Sequence, residues 1–224
     1  MESKKKIAKV IGKLTEIILL LCFFSMIACS QNDTSGSYEN EPFTGVVRGR
    51  TKTTISKGSL RSYPNVQSFL KSLPPDSHMR SLGIKNNSPR LIEEDYNILV
   101  EKASIFGMSL EEDGDVHIVI GDWDTEISAT YIVTAEISGL PDALFDSYAE
   151  LKKSRTDFYA EFPFFKTKKY VTYKSKSKSP VVTIKGSLFF DHYHTPDNSS
   201  EAQYRHKPKT SFEIHPVTSI RRID

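Results

Sequence analysis

The order of the predicted strands and helix between residues 96 and 220 is the feature that most constrains this chain of 224 residues. The apolar patterns predict strands over residues 96–110, 116–120, 130–137, 170–173, 181–190 and 211–220. Apolar residues at three- and four-residue spacing predict a helix over residues 143–162. Three strands, a helix and then further strands are typical of an OB-like five-stranded barrel with its helix between strands 3 and 4. We therefore predict a mainly β (α+β) fold of this kind; a small open mixed α+β sheet has the same order of elements and is the alternative.

The first 28 residues are predicted to be an export signal rather than part of the fold. A lysine-rich start precedes an apolar run over residues 17–27, whose helix would be about 16 Å long, roughly half of a bilayer core. A run this short is typical of a signal peptide and not of a membrane anchor. Residues 26–29, Met-Ile-Ala-Cys, resemble the lipobox of bacterial lipoproteins, in which the cysteine is acylated. We therefore predict that lipid-modified Cys29 is the mature N-terminus; a plain secretory leader cut near Ala28 is the alternative.

Removal of this leader would leave a nearly neutral chain without free thiols. The full chain has a net charge of +2, but residues 1–28 hold five of its 30 basic and two of its 28 acidic residues, which leaves −1. Of the two cysteines, Cys22 lies in the leader and Cys29 would carry lipid. Disulfides, cysteine-ligated zinc and thiol nucleophiles are therefore excluded from the mature domain.

The chain between the leader and the predicted barrel divides into two parts. Residues 29–41 are polar and poor in apolar side chains, which is typical of a flexible tether. Residues 42–90 are predicted to form an N-terminal extension, with a strand over residues 44–55 and a short helix over residues 64–73 that two prolines end. The OB-like domain is predicted to occupy residues 91–224.

Four ordered motifs in the predicted barrel resemble those of a bacterial exported lipoprotein family of unknown function. They are DGDxH at residues 113–117, AEI at residues 135–137, FFDxxH at residues 189–194 and EIHPV at residues 213–217. The resemblance covers about residues 91–222. It implies an OB-like fold and a shared polar site, and it implies no particular reaction.

Polar residues on and beside the predicted strands form a candidate polar site. Its members are Asp115, His117, Asp122, Asp191, His194, Glu213 and His215. Residues i and i+2 of a strand share a face, so Glu213 and His215 are predicted to point the same way. Imidazoles and carboxylates at strand ends can pair as acid and base or hold zinc, but no H-E-x-x-H motif is present. We expect these groups chiefly to hydrogen-bond the backbone at turns. No cofactor is predicted, and zinc is the alternative.

Charge is segregated along the chain. Residues 91–126 hold 11 acidic residues and one lysine, whereas residues 152–185 hold ten basic and two acidic residues. The candidate basic surface consists of Lys166, Lys168, Lys169, Lys174, Lys176 and Lys178. Aromatic residues interleave with these lysines, a composition that OB surfaces use to stack bases and bind phosphates. A solvated lysine rim around core aromatics is the favoured interpretation, and contact with anionic lipid near the anchor is another.

These observations predict a lipid-anchored accessory or binding module of the cell envelope, whose partner is an unidentified polar ligand or envelope protein. Ser30 after the lipidated cysteine favours the outer membrane, facing the periplasm, in a cell with two membranes. The chain has no G-x-S-x-G elbow, P-loop or dinucleotide fingerprint, so an enzyme is not the favoured interpretation. One alternative is a metal-assisted hydrolase that uses Asp191, His194 and His215 around Asp115 and His117. The other is an oligonucleotide-binding OB domain, although the near-neutral charge argues against nucleic acid as the partner.

Overall fold

Five of the seven strands close into a barrel in the computed structural model, which describes residues 38–123, 131–165, 170–194, 207–208 and 210–223. The strands are β1 (Leu60–Tyr63), β2 (Asn97–Leu110), β3 (Val116–Gly121), β4 (Ile132–Ile137), β5 (Val171–Thr172), β6 (Val181–Phe190) and β7 (Phe212–Arg222). Neighbours run in the order β2-β3-β4-β7-β6, and β6 pairs again with β2. Within the barrel only β4 and β7 pair in parallel. The predicted OB-like barrel is confirmed, and the open-sheet alternative is wrong.

The long strand β2 serves two parts of the sheet. Its first half lies between β1, which pairs with it in parallel, and β6. Its second half lies between β3 and β5. A bulge between Ile105 and Gly107 separates the halves, and a Cβ at Gly107 would overlap the hydroxyl group of Tyr170. The β2–β3 connection turns at Gly114, whose φ of +90° is one that glycine adopts readily.

Four α-helices accompany the barrel in the described part of the chain. They are α1 (Gly49–Lys52), α2 (Val66–Lys71), α3 (Asp76–Ser81) and α4 (Tyr148–Glu161). The prediction of α2 is confirmed, and α4 lies between β4 and β6 as predicted. It begins later than residue 143 because the Asp142 carboxylate accepts a hydrogen bond from the Leu144 amide in a preceding turn. The buried rings of Phe158 and Phe162 join α4 to the barrel core.

The strand predicted over residues 44–55 is wrong, because this segment contains the helical turn α1. Thr51 and Thr53 suggested strand alternation, but both side chains are buried and hydrogen-bond to carbonyl groups. Thr53 Oγ1 donates to the carbonyl oxygen of Gly49, which closes the turn. The inward-facing threonines are therefore satisfied by the backbone rather than by a neighbouring strand.

Alternate residues of the barrel strands point to opposite faces. Ile118, Ala135 and Ile214 point inward and belong to one continuous apolar core. The residues between them, such as His117 and Glu136, lie on the outer face of β3, β4 and β7. This outer face carries the polar side chains that the next subsection describes.

Part of the N-terminal extension covers this outer face. The Phe43 amide donates to the carbonyl oxygen of Leu140 over 2.8 Å, just beyond β4. The Thr44 amide donates to the Asp113 carbonyl oxygen over 2.9 Å, beside the β2–β3 turn. Farther along the extension, Lys52 at the end of α1 reaches this face, where its Nζ lies 3.9 Å from Glu136 Oε2. Charged side chains on the outer face are therefore buried although they lie outside the barrel core.

None of the described helices has the length and apolar character needed to cross a membrane.

Candidate functional site

A group of ionisable side chains meets on the outer face of β3, β4 and β7, beneath α1. We call it the outer-face cluster, and its members are Lys52, Asp115, His117, Glu136, Asp191, Glu213 and His215. Strand register explains why they meet. His117 on β3 lies opposite Glu136 on β4. Thr134, two residues earlier on β4, lies opposite Glu213 on β7. The two-residue period of each strand then keeps the cluster on one face.

His215 lies at the centre of this cluster and is fully buried. Its Nδ1 is 2.7 Å from Glu136 Oε2 and 3.7 Å from Glu213 Oε2. Its Nε2 is 3.4 Å from Asp115 Oδ2. Both ring nitrogens and these three carboxylate oxygens nevertheless have no hydrogen bond of acceptable geometry. Buried polar atoms normally have such partners. Single atoms elsewhere in the described residues also lack one, such as Ser138 Oγ and Arg155 Nε, but these five lie together.

In two of these three carboxylates, those of Asp115 and Glu136, the other oxygen is held by a hydrogen bond within the chain. The Gly139 amide donates to Asp115 Oδ1 over 2.6 Å. His117 Nδ1 is 3.1 Å from Glu136 Oε1, and this hydrogen bond raises the pKa of His117 although burial alone would lower it. Both carboxylates are therefore oriented so that their remaining oxygen faces the His215 ring.

Lys52 and Asp191 form the solvent side of the cluster. Lys52 Nζ is 3.9 Å from Glu136 Oε2 and 3.8 Å from Asp191 Oδ2. The side chains of Lys52 and Asp191 are 12 % and 16 % exposed. Burial would lower the pKa of Lys52, but the surrounding carboxylates outweigh it and raise the pKa, so the amine stays protonated. Its ammonium group also lies 5.7 Å from the centre of the Phe189 ring, a cation–π contact.

Burial shifts the pKa values of the central groups in opposite directions. It raises the pKa of Asp115 and Glu213 well above the usual range, and the charge of Glu136 adds to the rise. Burial would raise the pKa of Glu136 as well, but the neighbouring imidazoles and Lys52 lower it well below its usual value. Burial lowers the pKa of His215, although the charge of Glu136 beside it acts to raise it. The cluster therefore combines an ionised Glu136 with two carboxyl groups that retain protons readily.

The structure brings together most of the candidate polar site but separates two of its members. The members in the outer-face cluster are Asp115, His117, Asp191, Glu213 and His215. Asp122 lies elsewhere: it accepts hydrogen bonds from the amides of Val66, over 3.3 Å, and Gln67, over 2.7 Å, at the start of α2. His194 follows β6 in a turn, and its carbonyl oxygen accepts a hydrogen bond from Arg80 over 3.0 Å. Among the described residues, the group whose ligand atoms converge is Asp115, Glu136 and His215, so the predicted trio of Asp191, His194 and His215 does not form a ligand set.

Sequence reasoning missed two members of the cluster, Lys52 and Glu136. Glu136 lies in the AEI motif, and its alternation with the inward-facing Ala135 and Ile137 was the available signal. Lys52 had no such signal, because it belongs to a segment that was interpreted as a strand. Only the path of the extension across the barrel brings it to Glu136 and Asp191.

A second buried charge network joins the extension to the barrel, and we call it the Arg48–Glu94 pair. Arg48 Nη1 and Nη2 donate to the two carboxylate oxygens of Glu94 over 2.7 and 2.8 Å, and both side chains are fully buried. The guanidinium group also donates to the carbonyl oxygens of Ser88, Pro89 and Phe190. Every nitrogen of the guanidinium and both oxygens of Glu94 are thus hydrogen-bonded, which is the pattern of a structural buried ion pair.

An open groove lies apart from the outer-face cluster, between α2, α3 and the start of β4. Its volume is about 320 Å³. The residues that line it are Leu70, Leu73, Pro74, Pro75, Asp76, Tyr131, Ile132 and Thr210. The Asp76 carboxylate is already used within the chain, because it accepts hydrogen bonds from the Thr210 hydroxyl and the Ser211 amide, each over 2.7 Å. The groove therefore offers both polar and apolar surface, with no free carboxylate at Asp76.

Part of the candidate basic surface is exposed. Lys174, Lys176 and Lys178 point to solvent between β5 and β6. Lys166, Lys168 and Lys169 lie outside the described residues, and so does the predicted lipidation site Cys29.

Comparisons with protein-family models, with curated proteins and with solved structures find no match to this chain.

Proposed function

We propose that this protein is a lipid-anchored binding module of a bacterial cell envelope. Acyl chains on Cys29 would hold it at a membrane, the outer membrane facing the periplasm where the cell has two. The OB-like barrel would bind a polar ligand or another envelope protein. One observation carries the proposal: Met-Ile-Ala-Cys at residues 26–29 lies at the end of an apolar run too short to span a bilayer. Two or three acyl chains, at about 0.8 kcal/mol for each buried CH₂, are sufficient for a stable anchor.

The described barrel supports binding better than it supports hydrolysis. A catalytic metal site keeps one position open to substrate. In the outer-face cluster His215 is 0 % and Asp115 is 1 % exposed, so neither is open to a substrate. OB folds bind ligands on the face of strands 2 and 3 and on the adjoining loops. Here β3 and β4 provide that face and the extension covers it. The loops beside this face would therefore contact the ligand.

Metabolic labelling tests the anchor. The full-length chain is produced in a bacterium that processes lipoproteins and is supplied with alkyne-tagged palmitate. We expect the wild-type chain to be labelled and to sediment with membranes, and Cys29→Ser to lose both properties. Cys22→Ser is the matched control, since the leader cysteine is removed with the leader and its loss should change neither. An unlabelled wild-type chain, or label that persists in Cys29→Ser, would contradict the proposal.

Recovery of partners tests the binding role. The lipidated full-length chain, purified in detergent, is used to recover envelope proteins and is assayed in parallel for hydrolytic turnover. A partner recovered at constant stoichiometry, without turnover, is the expected result. Turnover without any partner would overturn the binding role. Retention on single-stranded DNA that weakens steeply with salt would instead support the oligonucleotide alternative.

A further inference from the structure

The outer-face cluster contains five buried atoms without hydrogen-bond partners, and these atoms lie next to one another. They are Asp115 Oδ2, Glu136 Oε2, Glu213 Oε2 and the two ring nitrogens of His215. One ligand atom from each of Asp115, Glu136 and His215 can be chosen so that all three lie within 4.8 Å of one another. Oxygen and nitrogen atoms that lie close together, with no hydrogen bond joining them, have the arrangement expected of metal ligands.

The Arg48–Glu94 pair shows that this chain satisfies a buried carboxylate when the role is structural. Both oxygens of Glu94 accept hydrogen bonds, from Arg48 and from the amides of Leu91 and Phe190. Asp115 and Glu136 are also buried, but only one oxygen of each carboxylate is hydrogen-bonded. The other oxygen has no hydrogen-bond partner. Fixation of the second oxygen is what outer-shell hydrogen bonds do for a carboxylate ligand.

The carboxyl groups of the cluster can take up a cation in place of a proton. Four of them, those of Asp115, Glu136, Asp191 and Glu213, lie around the ammonium group of Lys52. Buried negative charge is costly unless it is paired or bound to a metal. A divalent cation would let Asp115 and Glu136 bind as carboxylates, with release of the proton that burial favours on Asp115.

We propose that Asp115, Glu136 and His215 bind one divalent transition-metal cation, represented by zinc, with Glu213 beside them. The donor set selects the metal class: imidazole together with carboxylate suits zinc, whereas magnesium and calcium take oxygen ligands. The near-complete burial of the three residues makes this a closed site that stabilises the fold. The site is independent of the lipid anchor and of the partner.

Zinc titration of the purified full-length chain tests this site. We expect saturable uptake of one zinc ion per chain, measured by elemental analysis and calorimetry. Zinc at 100 times its Kd should raise the ratio of folded to unfolded chain about 100-fold, measured by thermal unfolding. Glu136→Gln and His215→Gln should each weaken binding at least about tenfold. His194→Gln is the matched control, because that histidine lies outside the cluster, and its affinity should equal that of the wild type.

Several results would overturn the site. They are the lack of saturable uptake by the wild-type chain, wild-type affinity in both Glu136→Gln and His215→Gln, and magnesium binding as tightly as zinc. If His215→Gln does not fold, the zinc affinity of Glu136→Gln decides. This variant should fold, because glutamine has the shape of glutamate. If neither variant folds, cobalt bound to the wild-type chain decides: a visible absorption band from one cobalt per chain supports the site, and its absence overturns it. None of these results bears on acylation of Cys29.

Discussion

Removal of the Glu94 carboxylate tests whether the Arg48–Glu94 pair holds the N-terminal extension on the barrel. The carboxylate accepts hydrogen bonds from Arg48 Nη1 and Nη2 over 2.7 and 2.8 Å. It also accepts from the amides of Leu91, over 2.8 Å, and Phe190, over 2.7 Å. Glu94→Ala would therefore leave a fully buried guanidinium group without its counter-charge and two backbone amides without an acceptor.

The expected loss is large for a single substitution. Removing one partner of a buried ion pair costs about 3–5 kcal/mol, because the other charge stays buried and unpaired. That is a large share of the roughly 5–15 kcal/mol by which a folded domain is stable. In a domain of this size each kcal/mol shifts Tm by about 2–4 °C, so the expected fall is roughly 6–20 °C.

Urea and thermal unfolding of the purified chain, followed by circular dichroism, measure this loss. Lys153→Ala is the control: it removes an exposed pair with Asp157 on α4, which should contribute less than about 1 kcal/mol. Arg48→Met combined with Glu94→Leu removes both charges and should recover the part of the loss that comes from the unpaired guanidinium group, but not the part that comes from backbone groups left without partners. A loss in Glu94→Ala no greater than that of the control would refute the reasoning.

Three further substitutions test other parts of the fold by the same unfolding measurements. Asp122→Ala removes the acceptor for two amides at the start of α2 and should cost about 1 kcal/mol, the usual value of a helix cap; an unchanged urea midpoint would contradict this. Gly58→Ala places a Cβ on the carbonyl oxygen of Asp95, a backbone atom that cannot swing aside, so we expect a loss of about 1–3 kcal/mol; full stability would show that β1 does not pack as described. Phe158→Ala empties the contact between α4 and the barrel core and should cost about 3–5 kcal/mol; a loss below that of Asp122→Ala would be inconsistent with the buried ring.

The two buried charge networks differ in whether the protein alone satisfies their hydrogen-bonding groups. In the Arg48–Glu94 pair the guanidinium group already provides the positive charge and the hydrogen-bond donors, so the network is complete within the protein. In the outer-face cluster the ring nitrogens of His215 lack such donors and acceptors. Both networks join the extension to the barrel, since Arg48 directly precedes α1 and Lys52 is its last residue. The extension is therefore part of the folded barrel rather than a spacer before it.

Local pattern was sufficient to predict the barrel but not the whole site. Apolar residues that alternate along β3, β4 and β7 bury one face of each strand, and this preference can be read within a few residues. The prediction failed over residues 44–55, where polar side chains bond to backbone carbonyl groups and imitate strand alternation. It also grouped Asp122 and His194 with the site, because position beside a strand end does not specify which way a turn directs the side chain.

The sequence by itself determined the order of the strands, the place of the long helix and the absence of thiols after Cys29, because each depends only on neighbouring residues or on composition. Only the tertiary structure decided that Glu136 and Lys52 would join His215. Their meeting depends on strand register and on the path of the extension across the outer face, which are contacts between residues far apart in the chain. The conformation of Arg48 was decided in the same way: its φ of +48° is rare for arginine, and it is held by partners on distant segments.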